Sequence, residues 1–203
     1  MPSKKLDAHR DFQASNQDVS PAFSFCARRC GVAVPAFSLK QQRCPRCGRV
    51  EALNRHSILR GNDPAQAGGQ SVRGQRVFCS NRGQRGGCGK SFSLLLADVL
   101  PRHTLNASRV WRWLVELLAG LSVKAAVEKL RLPFALETVY RLRRRLQDGL
   151  DQVRTRLCRE QSPPSSRQSQ PLLQTVEHLR AVFPDSGCPL ADFQLHFQHP
   201  FLG

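Results

Sequence analysis

Four of the eight cysteines fall in a pattern that can hold a metal ion. Cys44-Pro45-Arg46-Cys47-Gly48 places two thiolates two residues apart, and the glycine after the second lets the backbone curl tightly. A second pair follows, Cys79 and Cys88, the latter in Gly87-Cys88-Gly89-Lys90. Cys44, Cys47, Cys79 and Cys88 together fit a closed tetrahedral site for one structural Zn2+ ion, with no open position for catalysis. The 31 residues between the pairs exceed the usual roughly 15–20. The Gly- and Pro-rich stretch 61–74 accounts for the excess as an insertion at a hairpin tip. The second pair is spaced by eight residues, three of them Gly, so the chain can still fold the thiolates together. His56 is an alternative ligand in principle, although four Cys already complete the shell. Cys26 and Cys30 form a further pair without a partner pair, and whether they bind metal stays open. Cys158 and Cys188 read as isolated thiols.

The second chemistry is anion recognition. The 203 residues carry 31 Lys+Arg against 15 Asp+Glu, a net charge of +16, and 25 of the 31 are Arg. Arginine grips phosphate bidentately and stacks on bases, so nucleic acid is the leading partner class. The excess is local: residues 39–95 carry +9 and 96–160 carry +6, whereas 161–203 carry −1. Arg82 and Arg85, in the Cys79–Cys88 spacer, would project from the metal site.

The elements that must position these groups can be read from periodicity. Gln75–Phe78 and Lys90–Leu94 alternate polar and apolar residues, as hairpin arms do. From Asn106 the period is helical: Val110, Trp111, Leu114, Leu117 and Leu118 share a face, and Gly120 ends the run. Ser122 is a good N-cap for a second helix with Val123, Ala126, Val127 and Leu130 on one side. Pro133 interrupts it, and a third helix starts near Ala135. Val139, Leu142, Leu146, Leu150, Val153 and Leu157 span 18 residues in five steps, an average of 3.6, which predicts one straight apolar stripe. Arg141, Arg144 and Arg145 then cluster opposite it, with Arg143 and Tyr140 nearer the flanks. If that helix enters a major groove, these arginines reach bases or phosphates; a solvated face on a bundle helix is the plainer alternative. Its continuation past 150 fits a dimerisation helix, hence a homodimer, or a core-facing helix equally well.

The expected fold class is small α+β. A four-cysteine zinc ribbon of short antiparallel strands (39–95) precedes a three-helix helix-turn-helix unit (96–160). A disordered N-terminal arm (1–38) and a linker with a poorly ordered tail (161–203) flank them. No apolar run approaches the ~18 residues of a membrane span, and no secretory signal opens the chain, so the expected location is cytoplasmic and nucleoid-associated.

Cys44-Pro-Arg-Cys-Gly48, Phe78-Cys79, Gly87-Cys-Gly-Lys-Ser-Phe92, Leu100-Pro-Arg102 and Gly120-Leu-Ser122 together resemble the zinc-ribbon/helix-turn-helix segment of bacterial insertion-sequence transposases and transposase-associated proteins. The resemblance covers about residues 40–150. It implies double-stranded DNA binding, often at transposon ends, through the four Cys and the Arg-bearing third helix, beside a separate transposase. A catalytic domain of the RNase-H-like kind would need about a hundred more residues, and after residue 160 the only acids are Glu177, Asp185 and Asp192. The expectation is therefore a DNA-binding protein that is not an enzyme. RNA binding is the alternative, disfavoured by one Tyr and by two Trp that lie on an apolar helix face. The 161–203 segment matches nothing, but Phe193, Phe197 and Phe201 at four-residue spacing suit docking on a partner or on the protein itself.

Overall fold

The computed structural model describes residues 23–26, 36–62, 69–83, 86–132 and 134–202. The arm at 1–20, Cys30, Arg85 and Pro133 lie outside the described residues. The fold is small α+β: a three-stranded antiparallel sheet, one added parallel strand, and seven helices among the described residues.

Strand β1 (Phe23–Cys26) and helix α1 (Ala36–Gln41) precede β2 (Leu53–Asn62), β3 (Gln70–Cys79) and β4 (Ser91–Leu96). The sheet order is β1-β4-β3-β2, with β1 parallel to β4 and the other pairs antiparallel. Two expectations change here. Of the arm expected over 1–38 only residues 23–26 and 36–38 are described, and there α1 begins and β1 pairs with the edge of β4, a pairing no local periodicity announces. The loop expected over 61–74 is shorter, since β2 runs to Asn62 and β3 begins at Gln70. Strand β2 went unanticipated because a bulge between Arg55 and Ser57 breaks the alternation by which a strand is read.

The helical half begins with α2 (Ala107–Leu118), whose N-cap Asn106 accepts from the Arg109 amide at 3.0 Å. Trp111 and Trp113 are both buried on its inner face. Gly120 takes φ +91°, a left-handed turn that ordinary residues resist. Helix α3 (Val123–Lys129) is capped as expected by Ser122, whose Oγ accepts from the Ala125 amide at 3.2 Å. Helix α4 (Leu136–Asp148) and α5 (Leu150–Glu160) replace the single third helix. The break falls at Gly149, which keeps a near-helical backbone, so the whole stripe from Val139 to Leu157 stays buried across it.

The largest correction concerns the C-terminal segment, which is not poorly ordered. Helices α6 (Pro171–Val182) and α7 (Pro189–Phe197) bury Leu172, Leu179, Leu190 and Phe193 against α2 and α5. Phe193 meets Phe197 at 4.8 Å and Phe201 at 5.5 Å between ring centroids, so the phenylalanine series closes on the protein itself. A lone amphipathic segment must bury its apolar face somewhere, and here the α2 and α5 stripes supply the surface. The linker before it is tied down as well: the Gln161 carbonyl meets His178 Nε2 at 2.9 Å, and Gln174 donates to the Gln168 carbonyl at 2.8 Å.

Gln194 and Arg73 bridge the two halves. Gln194, 0% exposed on α7, donates to the Ala97 and Val99 carbonyls at 2.6 and 3.1 Å and accepts from the Phe201 amide at 3.1 Å. Arg73 on β3 reaches the other way, donating to the carbonyls of Leu100 and His103.

Candidate metal centre and nucleic-acid interface

Two turns at one end of the sheet bring the four expected cysteines together. The first lies between α1 and β2, where the Cys44 amide donates to the Arg49 carbonyl and the Gly48 amide to the Cys44 carbonyl, both at 2.8 Å. Gly48 has φ +71°, the left-handed conformation that lets this turn close. The second lies between β3 and β4, where Cys79 and Gly87 donate to the Lys90 and Ser80 carbonyls at 2.9 Å. A Cβ on Gly87 would fall 2.5 Å from Cys79 Sγ, so only glycine lets the turn approach the sulfur.

All four Sγ atoms lie within 4.8 Å of one another. Cys44 and Cys88 are 3.8 Å apart and Cys47 and Cys79 are 3.7 Å apart. A disulfide would require about 2.05 Å. A tetrahedron of thiolates with metal–sulfur bonds of ~2.3 Å has edges of ~3.8 Å, so these two spacings suit a shared ion. The Cys88 amide also points at Cys79 Sγ, 3.4 Å away, as a donor to a thiolate would. These residues fit a metal ion held entirely by protein ligands.

The electrostatics of the cluster favour a bound cation. Burial pushes the Cys79 thiol up to about 12 and raises Cys44 as well, whereas a backbone N–H at Arg49 lowers the exposed Cys47 to about 7. Four thiolates this close repel one another unless a cation neutralises them. Among the described residues these cysteines are the one group of three or more His, Cys, Asp or Glu able to share an ion. His56 is outside it, its ring set edge-on to Phe78 at 6.5 Å. Cys26 sits on β1, Cys158 is exposed and Cys188 half-buried.

The arginines are placed differently from one another. Val139, Leu142 and Leu146 bury one side of α4, and Arg141, Arg144 and Arg145 are exposed on it. Arg141 turns along its own helix toward Thr138 Oγ1 at 3.5 Å. Arg143 is half-buried and donates to Gln170 Oε1 at 2.8 Å, which anchors the linker to α4. Arg82 is exposed beside the metal turn, and Arg85 lies outside the described residues. Tyr140 is 49% exposed, on the same helix as the exposed arginines.

Sequence reasoning missed Arg73. Burial, then the positive charges of Arg145 and Arg73, hold the His103 imidazole below its ordinary value. Arg73 from β3 also donates to the His103 carbonyl, and Arg145 on α4 adds positive charge felt by the same residue. No signal in the Gly-rich surroundings of Arg73 marks it for this role. No helix among the described residues is long and apolar enough to cross a membrane. No protein-family model, curated protein or solved structure matches the chain significantly.

Proposed function

We propose that this chain is a zinc-stabilised, sequence-specific double-stranded DNA-binding protein. In this reading Cys44, Cys47, Cys79 and Cys88 hold one Zn2+, and β2–β4 form a zinc ribbon around it. Zinc suits four thiolates with no open position and needs no redox partner. Helices α2, α3 and α4 form the helix-turn-helix unit, with α4 as the recognition helix.

The observation that carries the reading is the division of α4. One side is sealed in the core by Val139, Leu142 and Leu146, and three arginines stand exposed on the remainder. A helix with a fixed back and a basic front can enter a major groove, where arginine pairs bidentately with guanine. The burial of both Trp side chains in α2 weighs against the RNA alternative, because neither is available to stack on a loop base. The resemblance to transposase DNA-binding segments extends the proposal to transposon-end recognition or its regulation, beside a separate transposase and without chemistry of its own. Cytoplasmic, nucleoid-associated binding as a homodimer completes it.

Selection of bound sequences from a random duplex library at ~150 mM salt tests the reading. A reproducible motif is expected, and a two-fold symmetric one would report the dimer. Arg141→Ala or Arg144→Ala should change the selected motif and cost about 1–3 kcal/mol on the best site. Arg82→Ala should lower affinity alike on all sequences. Equal loss on every sequence for all three variants would remove α4 from the groove.

A further inference from the structure

Toward the metal turns, one face of the sheet stays open, although farther along the same face closes where Leu95 is buried with Leu96 and Val99 and Leu59 packs against them. Along β3 the side chains alternate. Val77 and Cys79 point inward with Phe92, Leu94 and Leu53, forming the buried face. The opposite face carries Arg76 and Phe78. Ser57, Arg76 and Ser93 lie side by side across the three strands, and Phe78 lies beside Ser91 in the adjoining row. His56 occupies the bulge in β2, its ring edge-on to Phe78 at 6.5 Å and its Nδ1 3.2 Å from Ser57 Oγ.

Arg76, His56, Ser57 and Ser91 are exposed, while Phe78 and Ser93 are half-buried. Strands β2, β3 and β4 contain no Asp or Glu, and exposed Arg60 on β2 and Lys90 just ahead of β4 add to the positive charge. The face therefore combines two ring systems, a guanidinium and a row of hydroxyls on strands that carry no Asp or Glu.

We propose that this face binds single-stranded nucleic acid. Rings on a sheet can stack only on bases whose faces are free, and in a duplex those faces are covered by the neighbouring pairs. His56 and Phe78 supply the stacking platform, and Arg76 stacks or takes a phosphate. Ser57, Ser91 and Ser93 donate to phosphate or sugar oxygens. A protein with this surface beside a duplex reader would hold DNA where the strands part, or a transcript. The site is independent of the duplex reading, since none of its residues lies on α4.

Fluorescence anisotropy on the full chain at ~150 mM salt tests it with four labelled probes. These are oligothymidylate, oligouridylate, an abasic strand of the same length and a duplex. The unsubstituted protein should bind at least one of the two base-bearing strands about 10-fold or more tighter than the abasic strand. Whichever is bound more tightly identifies the source of the strand. The double variant His56→Ala/Arg76→Ala, with both changes at exposed positions, should lose about 10-fold on that strand and stay within about twofold on duplex. Phe78→Leu, which keeps an apolar side chain there, should lose a smaller factor. Arg141→Ala/Arg144→Ala should leave single-strand binding unchanged. Equal affinity for abasic and base-bearing strands would overturn the proposal. So would full retention of single-strand binding in the double variant, or its loss through the α4 substitutions. Failure of the duplex reading alone leaves the proposal intact, because the probes report the two sites separately.

Discussion

The two halves of this molecule are held together by different physics. The helical half encloses 24 buried apolar residues, from Leu100 on the approach to α2 through to Leu202 after α7. The cluster inside the sheet contains eight, and two of those, Cys44 and Cys79, are candidate metal ligands. Apolar burial contributes roughly 25 cal/mol per Å2, so the helical core is self-sufficient and the sheet cluster is not. A metal held by the four thiolates would supply what the sheet cannot bury. Positive charge is spread over both halves, but each presents it differently. The helical half offers it on a rigid helix, and the sheet offers it across a flat face beside rings.

Removing the metal should separate the halves most sharply. Chelation, or Cys79→Ser, is expected to abolish hydrogen-exchange protection in β2, β3 and β4 while α5, α6 and α7 keep theirs. Structural Cys-zinc sites carry apparent binding free energies of about 10–16 kcal/mol, more than a core of this size can replace. Binding also displaces protons from the thiols, above all from Cys79, which burial pushes up to about 12. Affinity should therefore fall as pH is lowered, and a metal-release titration should run from neutral toward acid. Equal loss of protection in both halves would break the comparison.

A cavity in the helical half should have the converse effect. Phe193→Ala removes a ring that is 0% exposed and packed between Phe197 and Phe201, at a cost of about 3–5 kcal/mol. Thermal melting should shift down while the metal content per chain stays constant.

Gln194→Ala acts on the junction. It leaves the Ala97 and Val99 carbonyls and the Phe201 amide without the partner that Gln194 provides. The expected cost is about 1–3 kcal/mol. Calorimetry should show one transition splitting toward two, and a single sharp transition would mean that the Arg73 bonds to the Leu100 and His103 carbonyls suffice to couple the halves. The smallest effect is Ser122→Ala, which deletes the α3 cap and should cost about 1 kcal/mol in denaturant unfolding, confined to the helical half.

Much of this arrangement is legible from the chain because it depends on local chemistry. The Cys-Pro-Arg-Cys-Gly turn, the cap at Ser122 and the 3.6-residue stripe from Val139 to Leu157 each declare themselves within a few residues. The N-terminal strand and β2 did not. The first depends on an edge offered by β4, more than sixty residues later, and the second is interrupted by its bulge at His56. The periodicity placed Arg143 on a flank of the helix, but not that the linker crosses that flank and Gln170 engages it.

The residue types and their spacing by themselves determined the four-cysteine cluster, the order of the helices after it and the basic character of α4. These follow from valence, helical period and charge, none of which needs a distant partner. Only the tertiary structure decided that the C-terminal segment belongs to the core, and that Gln194 and Arg73 bridge the sheet and the helices. Burial and pairing are properties of two surfaces at once. A chain read residue by residue shows one of them, and folding chooses the other.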